Sequence, residues 1–172
     1  SSGWMPPLFQ GTVLRPRDPR ILNLDPPAHL RGELQRQNLQ LLSELNQNHL
    51  RQHPGEADLE TRIASYELAA AMQTAAKEAL DISQETAATH TLYGLDDPAT
   101  REYGTRCLIA RRLVERGVRF VQLYHTDWDH HGNAGTELGK SLDDRCREVD
   151  QPMAALVKDL KARGLLDSTL VV

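Results

Sequence analysis

Four things this sequence has little of narrow what it can be. It holds two cysteines in 172 residues, Cys107 and Cys146, in no CxxC spacing, so neither a zinc knuckle nor a thiol–disulfide motif is indicated. Positive charge is short: the net charge is −4 and the isoelectric point about 6.0, which argues against a nucleic-acid surface built from clustered Lys and Arg. No run approaches the ~20 apolar residues of a membrane span, and the start has neither the basic region nor the apolar stretch of a signal peptide. Finally, no glycine-rich phosphate loop and no Gly-x-Ser-x-Gly elbow occurs. Ser141 and Ser168 therefore have no nucleophile setting, and neither cysteine sits in the C-x-P-x-R arrangement of sulfatase nucleophiles.

The pattern along the chain falls into three stretches. Residues 1–27 carry six of the nine prolines without sustained periodicity, which predicts extended, surface-wrapping coil anchored by Trp4, Leu8 and Phe9. From residue 28 to 116 the pattern is helical. Leu30, Leu34, Leu41, Leu42 and Leu45 follow three- and four-residue steps up to Pro54-Gly55, and Leu59, Ile63, Tyr66 and Ala70 follow in a second helix to Leu80. The short connection predicts an antiparallel hairpin. A brief helical stretch over Ser83–Tyr93 stops at Gly94. Asp97 and Pro98 then open another helix that ends at Gly117, with Tyr103, Cys107, Ala110 and Val114 on its buried face. Arg106, Arg111, Arg112, Arg116 and Arg119 alternate with its leucines and read as the wet face of that helix rather than as a phosphate patch.

After Gly117 the character changes. Residues 118–124 read as a buried strand, 136–163 as a long helix with a kink or restart near Asp150 ahead of Pro152, and Leu170-Val171-Val172 as the start of another strand. Strand, helix, strand predicts a right-handed parallel βαβ unit. Two strands do not make a stable sheet, so the expectation is an α/β fragment, mostly helical, cut from a larger domain.

Between the first strand and the long helix lies Asp127-Trp128-Asp129-His130-His131, with His125 just before it. Carboxylate oxygen and neutral imidazole nitrogen are common metal ligands, and the loop beyond a strand's carboxyl end is where α/β folds place their sites. Asp129 and His131, two apart, share a direction on extended backbone, and Asp127 shares their parity; His130 faces elsewhere. Asn133 could bond an anion or close the turn. The competing reading is a solvated turn. His29, His49, His53 and His90 have no matching acidic partner and read as surface residues.

Several segments together resemble a bacterial family labelled domain of unknown function 1501. They are Ser2-Gly3-Trp4-Met5-Pro6 with Phe9-Gln10-Gly11, Ile21-Leu22-Asn23-Leu24, Ala79-Leu80-Asp81-Ile82-Ser83, Tyr93-Gly94-Leu95, the stretch from Cys107 to Val121, and Trp128-Asp129-His130-His131. That resemblance implies the alkaline-phosphatase/sulfatase superfamily, an alkaline-phosphatase-like fold, hydrolysis of phosphate or sulfate esters, and an exported or periplasmic location. The family pattern Trp-Asp-x-His matches Trp128, Asp129 and His131. It implies Asp129 and His131 as ligands of a divalent ion (zinc, calcium or manganese), with His125 or His130 protonating a leaving group. The implied partner is a small-molecule or glycan ester. The alternative is a non-catalytic protein that binds an anion or glycan, its helical hairpin making partner contacts.

Overall fold

The computed structural model describes residues 11–15, 17–21, 24–132 and 138–172, with the backbone alone for residues 72–75. The expected anchors Trp4, Leu8 and Phe9, and the candidate Asn133, lie outside the described residues. Among the described residues five α-helices follow in order: α1 (Glu33–Gln52), α2 (Ala57–Leu80), α3 (Ala87–Leu92), α4 (Arg101–Glu115) and α5 (Leu138–Ala162). Among the described residues there is no β-strand, so the fold is all-α and the expected βαβ unit is not formed. Nor is any described helix long and apolar enough to cross a membrane.

The physical reason is backbone pairing. A strand exists only where a neighbour supplies the ladder of hydrogen bonds, and residues 118–124 and 170–172 have no such neighbour among the described residues. Val121, Leu123 and His125 are half-buried while Phe120, Gln122 and Tyr124 are exposed. The buried side lies on helices instead of on a sheet, and Leu123 packs against the core around Tyr93, Cys107, Leu108 and Ala155.

The chain divides into two units, residues 1–78 and 79–172. In the first, the Ser43 hydroxyl on α1 donates to Glu67 on α2 at 3.4 Å, and Lys77 pairs with Asp25. Residues 43 and 67 are nearly equidistant from the turn at Gly55, as an antiparallel hairpin requires. The leucine periodicity of α1 does not correspond to burial: Leu41, Leu42 and Leu45 are each more than half exposed.

The second unit is built on α4 and α5, its most extensive helix pairing. The Gly117 N–H bonds Val114 O and the Val118 N–H bonds Leu113 O, with Gly117 at φ 81°. This is the left-handed termination that only glycine adopts cheaply. At the other end, Asp97 accepts from the Ala99 N–H at 2.9 Å, one turn ahead of α4. Helix α5 runs unbroken through Pro152, which is buried. Proline costs it the Glu148 carbonyl's intrahelical partner, but no restart occurs at Asp150. Cys107 is fully buried and Cys146 exposed, both as free thiols. Burial pushes the Cys107 thiol up to about 12.

Two arginines expected on the wet face are instead buried. Arg111 and Arg112 are 1% and 6% exposed. Arg111 contacts Glu85 at 2.7 Å, Glu115 at 2.5 Å and Asp159 at 3.0 Å. Arg112 pairs with Glu85 and donates from Nε to Ala79 O at 2.9 Å. Arg163 closes the set, bonding Asp159 at 2.8 Å and Glu115 at 2.6 Å, and the Tyr93 hydroxyl donates to Asp159 at 3.0 Å. Three guanidinium groups meet three carboxylates, so the interior charge balances. Such balance is what makes burying ions tolerable.

This network predicts an acid response. Burial opposes the charge on Glu85, but hydrogen bonds from Arg111 and Arg112 outweigh it and hold its carboxyl below the usual value. A carboxyl lowered by folding contributes stability above its unfolded value, near pH 4.3, that is lost as pH falls through the lower folded value. Urea unfolding between about pH 5 and 3 should therefore show a steeper fall in stability for the wild type than for Glu85→Gln. Parallel slopes would rule Glu85 out as a source of acid sensitivity.

Candidate functional site

Residues 118–132 leave α4 at Gly117 and run as an arm tied to both helices. The Arg106 guanidinium donates to Tyr124 O at 2.6 Å. One residue on, His125 turns inward and its Nε2 meets Glu148 Oε2 of α5 at 2.9 Å. Its ring lies edge-on to Tyr103 of α4, centroids 5.1 Å apart, and to Trp128 at 5.4 Å. Burial, the largest influence, raises the Tyr103 phenol above its ordinary value. The second oxygen of Glu148 is held by Arg145 at 2.6 Å. Arg145 also faces Asp127 at 3.8 Å.

Asp127 breaks the alternation. It takes φ 65°, a left-handed conformation that Asp tolerates better than most residues, and accepts from the Thr126 hydroxyl at 3.0 Å. Its carboxylate is thereby oriented by Thr126 and Arg145.

Beyond this turn the arm reaches water. Asp129 Oδ1 and His131 Nε2 lie 2.7 Å apart, with side chains 86% and 69% exposed. His130 between them is half-buried, and its Nε2 is shielded from water without a partner among the described residues. Gly132 follows at φ 68°. The arm thus brings Asp129 and His131 together and turns His130 away.

The donor chemistry of this pair fits a divalent ion. Metal–oxygen and metal–nitrogen bonds of about 2.0–2.2 Å put adjacent ligand atoms about 3.0–3.4 Å apart, so the 2.7 Å contact would have to open by about 0.3–0.7 Å. Two donors are part of a coordination sphere, and among the described residues no group of three or more His, Cys, Asp or Glu side chains converges. His125 is held by Glu148 through Nε2 and by the aromatic rings, so it is not a third ligand of this pair.

Sequence reasoning missed Glu148 and Arg145. Their spacing of three on α5 is a visible local signal for a helical ion pair. That Glu148 closes on His125, 23 residues away, is written in no local pattern. Of the four remaining histidines, His49 and His53 have ring centroids 4.3 Å apart with the planes tilted by 43°, while the His90 ring contacts Ile82 O at 3.1 Å in a half-buried position.

No curated protein and no solved structure matches this chain. A family profile described as "Protein of unknown function (DUF1501)" matches residues 1–172, the whole of the sequence, and the chain belongs to that family.

Proposed function

We propose that Asp129 and His131 bind a divalent metal ion in a hydrolase of phosphate or sulfate esters, with chemistry of the alkaline-phosphatase/sulfatase kind. The observation that carries this reading is the pairing of a carboxylate oxygen and an imidazole nitrogen at 2.7 Å on an exposed arm. Exposed pairs of this sort contribute little to stability, so packing gives no reason for it. When bound, the ion would polarise the ester and acidify a coordinated water. This chain's own residues do three further things. Arg106, His125 and Arg145 fix the base of the arm, Trp128 presents a 43% exposed ring beside it, and the open face leaves room for an ester group. The remaining coordination positions belong to water, substrate oxygens or ligands other than these two.

The test is metal content and turnover in the full-length protein. Mass spectrometry should find about one or two divalent ions per chain, and Asp129→Ala or His131→Ala should remove at least one. Unchanged metal content in both variants would sink the proposal. Aryl phosphate and aryl sulfate esters, assayed with zinc, calcium or manganese, should be cleaved by the wild type and at least about 100-fold more slowly by Asp129→Ala. Metal binding without turnover would favour the anion- or glycan-binding alternative.

A further inference from the structure

We infer that Glu148 is a positioning residue for His125, fixing its ring so that Nδ1 serves as the acceptor for a proton of the attacking water or hydroxyl. The catalytic half of this inference rests on the hydrolase reading above; the placement of the ring does not. The argument begins with a mismatch. His125 Nε2 is satisfied by Glu148 Oε2 at 2.9 Å, whereas Nδ1 is shielded from water and has no partner among the described residues. A buried polar atom left unpaired is costly and rare, and it calls for a reason.

The tautomer follows from the partner. A carboxylate only accepts, so Nε2 must carry the proton that faces Glu148, and in a neutral ring Nδ1 is then the bare acceptor. Glu148 is itself steadied by Arg145 on its other oxygen at 2.6 Å. Tyr103 and Trp128 hold the ring edge-on. A base oriented by a carboxylate is the general arrangement by which an oxygen nucleophile is activated. The sequence resemblance implies His125 or His130 as the group that protonates a leaving group; in the inferred role His125 is a proton acceptor instead.

The proton count closes. An O–H bond of water breaks as Nδ1–H forms, and the oxygen's electron pair attacks the phosphorus or sulfur of the ester. The ring becomes an imidazolium whose charge faces the Glu148 carboxylate. The leaving oxygen departs on the side opposite the attacking one, away from Nδ1, and takes its proton from solvent; Nδ1 gives its own proton to solvent, and the imidazole is neutral again.

Nitrogen-15 NMR of histidine-labelled full-length protein reads the tautomer directly. The His125 ring, assigned by its loss in His125→Gln, should be protonated on Nε2 and bare on Nδ1. In Glu148→Gln the amide can donate as well as accept, so the Nε2–H form should lose its dominance while the circular dichroism spectrum stays unchanged. A wild-type ring protonated on Nδ1, or an unaltered tautomer in Glu148→Gln, overturns the positioning role. On an aryl ester cleaved by the wild type, Glu148→Gln should lower kcat about 10–100-fold with KM within about twofold. Equal kcat would overturn the proton-transfer role even with the tautomer as expected. Absence of turnover on every ester removes the hydrolase reading, and the tautomer spectrum then decides the positioning alone.

Discussion

Arg111→Ala should cost about 3–5 kcal/mol of stability, the range found when one member of a buried ion network is deleted. The substitution leaves Glu85, Glu115 and Asp159 facing a void, with Arg112 and Arg163 still beside them. Total stability of a domain is about 5–15 kcal/mol, so this one change removes a large share of it. An exposed pair sets the contrast. Lys140 meets Asp144 at 3.1 Å with side chains 76% and 52% exposed, and Lys140→Ala should cost less than about 0.5 kcal/mol. Urea unfolding followed by circular dichroism measures both. An Arg111→Ala cost near that of Lys140→Ala would mean that water enters the network and solvates the freed carboxylates.

Gly104→Ala is the second large effect, with an expected cost of about 3 kcal/mol or more. A Cβ at this position would sit 2.1 Å from the carbonyl oxygen of Tyr93 and 3.2 Å from a methyl carbon of Leu95. The obstacle is backbone, which cannot swing aside as a flexible side chain does. Relief would require α4 to move off the Tyr93–Gly94 turn. That movement would open the core around Tyr93, Cys107 and Leu108 and disturb the hydroxyl contact to Asp159. Gly139 in α5 supplies the control, since a Cβ there meets nothing within 4 Å. Gly139→Ala should be neutral or slightly stabilising, because alanine is the better helix former. If thermal unfolding gave the two variants equal midpoints, the close approach at Gly104 would be wrong.

Most of the helical content was legible. Turn and breaker residues, namely Pro54-Gly55, Gly94, Gly117 and Gly164, sit at or just beyond helix ends, because their backbone preferences act within a few residues. Cys107 was readable as core from its place on the apolar stripe of α4. Residues 118–124 misled because an apolar run reports only a chain segment with a covered side, and a helix pair covers a side as well as a sheet does. Arg111 and Arg112 misled for a different reason. A guanidinium is polar in any local count, and its burial depends on Glu85 and Asp159 arriving from elsewhere in the chain.

The candidate site divides in the same way. Asp129 and His131 were found because their two-residue spacing is local. Glu148, Arg145 and the inward turn of His125 were not, since the Asp127 turn and the α5 carboxylate are joined only in space. By itself, then, the sequence determined helix ends, the family, and which two residues reach outward together, all properties set by neighbours a few positions apart. Only the tertiary structure decided that the apolar run after Gly117 lies on helices rather than in a sheet, that two arginines are interior, and that His125 leans on Glu148. Each of those depends on partners distant in sequence, and no local pattern carries the free energy of meeting them.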